Sequence, residues 1–309
     1  MLFVQVHAQH ATTFKFSETA PEQVLRVMEK NANALFSEIN RKYDLDNSQL
    51  ILSSSAVTDF ARNRIANMWA VSHFYCTRTS MNTRVLKMVS SDMYLVRSIP
   101  VCYKEAESDE YRYQHIVLEF DRSGKISDLY CALPENEIRN ADGSVVTDFR
   151  HKDQINSFVN QYFTAFICKD LDMIERIFSE DALFVTGKAG KNIENKYNVQ
   201  NKEQYLAKLR RIFLRNSFIN IKIDSVEIIQ SEANPKVFGV RLNQYWHVSN
   251  KGNSGGYNDE GRQLFIIDFT NENLPWIVVA VWQPFKDANG NPIEYSEEDF
   301  FSLGDFQIE

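Results

Sequence analysis

Few residues in this chain have the type and spacing for proton chemistry. From Phe238 to His247 the period is two, so Asn243, Tyr245 and His247 share one strand face. A histidine and a carboxylate in contact form an acid/base pair, and Asp259 or Asp268 from a neighbouring strand could supply the acid. Arg241 stands on the same face, so the expected reading is a solvated side of a sheet. In the first half, His73, His115 and Glu119 invite the same thought. His115 and Glu119 share a strand face, and the simpler expectation is a salt-bridged surface pair. Lys208, Arg210, Arg211 and Arg215 make one helix basic, which reads as a solvated face, with an anionic ligand or acidic partner as the alternative.

Other chemistries lack their residues. There is no Gly-rich phosphate loop, nucleophile elbow or His pair at metal-ligand spacing. Cys76, Cys102, Cys131 and Cys168 form no CxxC, so no metal site and no cofactor are expected. The cysteines read as buried thiols, with one disulfide among the first three as the alternative in an oxidising compartment.

The elements that must carry these residues are legible from periodicity. Ile155, Phe158, Val159, Tyr162, Phe163 and Phe166 recur on one helical face from Asp153 onward. Asp170 can cap a shorter helix, and Ala182 to Thr186 is extended in character. Asn201 with Gln204 forms a capping box for a third helix bearing Tyr205, Leu206, Leu209, Ile212 and Phe213. Strands alternate through Ile219 to Ile223 and Phe238 to Trp246, and again over 262–269 and 276–283. The segment Asn250 to Asp259 reads as a long hairpin loop. The first half has a similar order. A capping box at Thr19 and Glu22 opens a helix reaching Ile39, a second helical stretch covers about Thr58 to Trp69, and strands follow at 93–102, 112–120 and 126–133. Gln114, Ile116, Leu118, Glu119 and Phe120 match Gln263, Phe265, Ile267, Asp268 and Phe269 at a constant offset, which favours two copies of one fold.

A chain of 309 residues has room for two cores, and 44% hydrophobic with 24% charged residues excludes disordered and collagen-like classes. No apolar run approaches the roughly 20 residues of a membrane-spanning helix. A net charge of −7 has the wrong sign for a partner held by phosphate charge, so no nucleic acid is expected. Val6-His7-Ala8 has the small-x-small form of an export cleavage site, so residues 1–11 read as the remnant of a signal and the protein as exported, periplasmic or extracellular. The alternative is a short first strand in a cytoplasmic protein. The strand Trp276 to Trp282 is apolar on both faces and needs cover on each. Pairing through sheets, within the chain or in a homodimer, would supply it. So would docking of Phe300, Phe301, Leu303 and Phe306 from the acidic tail.

The stretch Asn160-Gln161-Tyr162, Lys169-Asp170-Leu171-Asp172 and Phe178-Ser179-Glu180-Asp181-Ala182 resembles the signature of the nuclear transport factor 2-like superfamily. Ketosteroid isomerase, scytalone dehydratase and polyketide cyclases belong to that superfamily, and the tandem also resembles uncharacterised exported bacterial proteins. The resemblance implies an α+β chain of two tandem cone-shaped domains, each with helices packed on a curved antiparallel sheet. The domains are expected at 12–134 and 149–290, joined by a linker at 135–148 and followed by a tail at 291–309. It also places the isomerase's oxyanion tyrosine on Tyr162, but sets Thr186 where the base should be and Phe265 where the protonated acid should be. Neither can act as a carboxylate.

The expected function is therefore a non-catalytic binding module. Its pocket wall would comprise Tyr162, Phe166, Phe184, Gln244, Trp246 and Phe265, taking a small apolar ligand or a protein partner. The alternative is an isomerase-, dehydratase- or cyclase-like enzyme using Tyr162 and a displaced carboxylate such as Asp268, or Asp181.

Overall fold

The structure, a computed structural model, describes residues 11–17, 20–43, 49–88, 93–104, 111–134, 138–140, 142–146, 149–188, 196–253, 255–287 and 289–306. Residues 1–10 of the expected export remnant, and the expected cap at Thr19, fall outside the described residues. The chain divides into two compact units, Met1–Ala132 and Leu133–Glu309. Both place helices against a sheet, and the chain is α+β.

The first unit opens with β1 (Thr13–Ser17), α1 (Glu22–Tyr43) and α2 (Asp59–Val71). The α1 sequence is helical because Met28, Ala32, Leu35, Phe36 and Ile39 fall on one buried face. Thr58 caps α2, its hydroxyl accepting from the Ala61 amide at 3.3 Å. Then come β2 (Phe74–Cys76), β3 (Ser80–Arg84), β4 (Leu86–Met88), β5 (Met93–Lys104), β6 (Tyr111–Phe120) and β7 (Ile126–Cys131). The main sheet runs β2-β5-β6-β7 with β4 also on β5, every pairing antiparallel, while β1 pairs in parallel with β3. Phe14, Phe36, Trp69, Val96, Leu118 and Phe120 belong to one buried cluster between helices and sheet.

The second unit contains β8 (Ile138–Asn140), α3 (Phe149–Cys168), α4 (Leu171–Ile177), β9 (Phe178–Lys188), β10 (Lys196–Gln200), α5 (Lys202–Arg215), β11 (Asn216–Gln230), β12 (Val237–Asn250), β13 (Gly256–Asp268) and β14 (Trp276–Pro284). Lys169 ends α3 in the left-handed region at φ 59°. Its ammonium donates to the carbonyls of Asn216 (2.6 Å) and Ser217 (2.8 Å), tying this bend to the start of β11. Asp170 then caps α4, accepting from the Met173 amide at 3.0 Å. At Asn201 the capping box closes in both directions, Asn201 accepting from the Gln204 amide at 2.9 Å and Gln204 from the Asn201 amide at 3.2 Å.

The seven-stranded sheet runs β10-β9-β14-β13-β12-β11-β8. It is mixed rather than purely antiparallel, because β14 pairs in parallel with β9, and β11 with β8. Both exceptions join strands far apart in sequence, with helices in the connection, where a parallel crossing is permitted. β8 lies within the stretch read from sequence as a linker. The long loop expected at 250–259 is largely strand. The ladder continues to Ser249 opposite Gly256, and the turn is a short 3-10 segment at Lys251–Asn253 with Gly252 at φ 75°. Gly256 makes this closure possible, since a Cβ there would stand 2.1 Å from the Val248 carbonyl.

Register divides the faces. Val240, Leu242, Gln244 and Trp246 of β12 face the same way as their partners Phe265, Gln263, Gly261 and Asp259 of β13, and the helices α3 and α5 cover this face. The opposite face carries Val237, Leu264, Ile266, Val279 and Val281. Phe301, Leu303 and Phe306 of the chain's own tail pack against these residues. The chain's own tail thus lies on the apolar outer patch.

Candidate functional site

The helix-covered face of the second unit collects the expected pocket residues. The ring of Tyr162 on α3 lies 4.8 Å from Phe265 on β13, 5.8 Å from Phe178 and 5.9 Å from Phe166. Phe166 meets Trp246 edge-on at 5.1 Å, and Phe184 on β9 stacks on Tyr205 of α5 at 3.9 Å and 12°. Tyr162, Phe166, Phe184, Gln244 and Phe265 are all buried. Aromatic side chains in mutual contact fill the interior at this level, the packing expected of a core.

Two hydroxyls lie inside that packing. Those of Tyr162 and Tyr205 hydrogen-bond to each other, and burial raises both phenols, Tyr205 up to about 12 and Tyr162 well above its ordinary value. Both therefore remain neutral at physiological pH. Sequence reasoning placed Tyr205 on the apolar face of α5 but could not find this partnership, because which helix positions meet across a sheet is a tertiary fact.

The displaced acids are elsewhere. Asp268 lies on the other face of β13 from Phe265, three positions on, and its carboxylate accepts from the Thr270 amide at 2.7 Å, where it closes the turn after the strand. Asp181 is exposed on β9. Neither is brought to Tyr162 by the fold.

Gln244 and Trp246 occupy the far end of the same face. The indole N–H of Trp246 donates to Gln244 Oε1 at 3.0 Å. An indole nitrogen can only donate, so the amide must turn its oxygen to the ring and its NH₂ away. That NH₂ is buried and has no hydrogen-bond partner among the described residues. Trp282 crosses Trp246 at 5.9 Å, and both indoles are half-buried. Gly261 makes room for the Trp282 ring, since a Cβ there would fall 2.8 Å from it and 2.4 Å from the Gln283 carbonyl. Across the ladder from Trp246 is Asp259, whose carboxyl burial pushes above its usual range.

The possible acid/base cluster around His247 does not assemble. His247 Nδ1 pairs with Asn258 Oδ1 at 2.8 Å, Tyr245 donates to Asp224 at 3.0 Å, and Asn243 accepts from Arg262 at 3.2 Å. Asp259 faces the opposite way from His247, a consequence of strand alternation. In the first unit, Glu119 is buried and accepts from the Tyr130 hydroxyl at 3.0 Å, which corrects the expectation of a surface pair. Burial lowers the His115 imidazole. All four cysteines are thiols. No cluster of His, Cys, Asp and Glu that could hold a metal occurs among the described residues.

A separate groove of about 490 Å³ runs between α4 and α5. Its floor carries Lys202, which donates to the Phe178 carbonyl at 3.0 Å and to Glu180 at 2.8 Å, and its rim mixes Glu175 and Glu203 with Arg210.

No protein-family model matches the sequence, and no curated protein does. Solved structures do match part of the chain. A nuclear transport factor 2-like superfamily protein from Salmonella enterica serovar Typhimurium is 12% identical, covers 48% of this chain and 96% of its own, and has a TM-score of 0.36. The beta subunit of benzoate 1,2-dioxygenase from Burkholderia mallei is 18% identical over 42% of this chain and 87% of its own, with a TM-score of 0.34. A conserved protein from Planctomyces limnophilus is 13% identical over 44% of this chain and 98% of its own, with a TM-score of 0.35. In the second unit, helices pack on one face of a curved run of strands, α3 and α4 preceding β9 and β10, and α5 preceding the meander β11 to β14.

Proposed function

We propose that this chain is a binding module rather than an isomerase-type enzyme, and that its second unit takes a small apolar ligand bearing an acceptor oxygen. The observation that carries this reading is the Gln244 amide. Two N–H donors are buried without an acceptor among the described residues, beside the half-buried rings of Trp246 and Trp282. An unmet buried donor costs on the order of 1–3 kcal/mol, which a ligand oxygen would recover while its flat body covered the indoles. The half-buried Asp259 opposite Trp246 favours a neutral acceptor over a carboxylate. The enzyme reading is disfavoured because the Tyr162 hydroxyl is engaged by Tyr205 and neither proposed acid reaches it. Export accompanies the proposal, resting on Val6-His7-Ala8, and sequencing the mature N-terminus after expression in a bacterial host with a longer upstream frame tests it.

The ligand reading is tested by thermal shift against a panel of flat apolar ketones, esters and amides, with wild type and Gln244→Leu. The wild type should be stabilised by members of the panel. The variant loses the unmet donors together with the acceptor of the Trp246 indole, should stay folded without ligand, and should lose the shift. A Gln244→Leu variant that keeps the wild-type response would sink the assignment.

A further inference from the structure

The tail on the outer face of the second sheet is held as a bound peptide is held. Residues 296–306 read Ser-Glu-Glu-Asp-Phe-Phe-Ser-Leu-Gly-Asp-Phe, in which Ser-x-x-Asp-Phe occurs twice. Each copy shapes itself. Asp299 accepts from the Ser296 amide and hydroxyl, both at 2.8 Å, and Asp305 accepts from those of Ser302 at 2.7 and 3.0 Å. Its bonds from backbone to backbone close its own 3-10 turns, and it adds no strand to the sheet among the described residues.

The body recognises this segment through side chains. Gln283, buried on β14, donates to the Asp299 carbonyl and accepts from the Phe301 amide, both at 2.9 Å, so one side-chain amide brackets Phe300. Arg262 lies over the Phe300 ring at 3.7 Å and pairs with Glu297 at 3.1 Å. Phe301 meets Tyr197 at 5.0 Å. Leu303 sits on Gly239, where a Cβ would approach the leucine Cβ to 3.1 Å. A glycine near the start of β12 leaves the space that the tail's leucine fills, a close approach that any side chain there would oppose.

We propose that this face is a docking surface for the Ser-x-x-Asp-Phe-Phe-Ser-Leu segment, occupied in each molecule by its own tail, and that it accepts the same segment from a second copy of the chain when the resident tail is released. Nothing in the recognition requires the segment to be tethered. The Gln283 clamp, the Arg262 stack and the Gly239 seat see only residues 297–303. This inference is independent of the ligand proposed at Gln244.

The test uses the full chain and a labelled peptide of residues 294–309. In the double variant Phe301→Asp and Leu303→Asp the resident tail cannot occupy the face, and the peptide should bind. Binding to wild type should be roughly a hundredfold weaker or more, because a tethered competitor acts at millimolar effective concentration. Gly239→Val or Gln283→Ala added to the double variant should remove binding. A folded double variant that ignores the peptide overturns the docking surface. Should the double variant not fold, a wild-type chain cut at a protease site placed in the Asn289-Gly290 turn replaces it. Exchange of the labelled peptide for the resident segment then supports the proposal, and failure to exchange overturns it. The second copy has its own readout. Gly239→Val, whose face is closed but whose tail is intact, mixed with the double variant, whose face is open, should form a one-to-one complex in sedimentation, and a mixture that stays monomeric overturns that half.

Discussion

The Tyr162–Tyr205 pair separates a catalytic-looking residue from a catalytic one. A buried tyrosine needs a partner for its hydroxyl, and here the partner is a second tyrosine on another helix. Tyr162→Phe leaves the Tyr205 hydroxyl to find another acceptor in an aromatic interior, and should cost about 1–3 kcal/mol in urea unfolding. Adding Tyr205→Phe removes the stranded group as well, so the double variant should lose less than the sum of the two single losses. Purely additive losses would show that the hydroxyls do not act as a pair. The sequence made the aromatic wall readable, since Tyr162, Phe166, Phe184 and Phe265 each follow from helical or strand periodicity. It could not reveal the Tyr205 partnership or the stranded Gln244 NH₂, because those depend on which side chains meet across the sheet and on a tautomer-free donor, the Trp246 indole, forcing the amide's orientation.

At the scale of elements, the clearest local signal was the capping box of α5. Both of its hydrogen bonds form, and Asn201→Ala should cost about 1 kcal/mol by the same measurement. The helix carries Tyr205 and Leu209 into the interior, so the loss should also be visible as greater exposure of that face. Strands with strict alternation were legible too. β10 was not, because Lys196 to Gln200 is short and polar, and it exists by pairing with β9. The loop expected near Asn250 was misread for a related reason. Glycine and asparagine signal turns, yet Gly256 serves close strand approach, and only the neighbouring backbone distinguishes the two uses. Parallel pairing of β9 with β14 was likewise invisible, since it joins residues almost a hundred positions apart in sequence.

For the whole molecule, titration sets the two ends of the stability range. Burial lowers His115 below its ordinary 6.5, so as pH falls past that value the unfolded chain takes up this proton before the folded one does. Stability should decline there, and His115→Gln should flatten that part of the curve. At the alkaline end the direction reverses. Tyr205 is raised from 10.0 to about 12, so between those values the unfolded chain loses a proton that the folded chain keeps, and stability should fall as pH rises. Tyr75, Tyr130 and Tyr162 are raised as well and act in the same direction. Urea midpoints measured across pH 5 to 12 would therefore be expected, on the order of magnitude of these shifts, to hold level in the middle and drop on both sides. A midpoint that climbs above pH 10 would contradict the burial of these phenols.

The crossed indoles of Trp246 and Trp282 also have an optical consequence. Two identical chromophores with ring centroids 5.9 Å apart at an interplanar angle of 68° exchange excitation, and a chiral protein gives such a pair a signed couplet in circular dichroism. Trp69 stands in the first unit, stacked on His73, outside this pair. The couplet is thus a built-in spectral label for the β12–β14 end of the second unit, readable without a dye or a substitution.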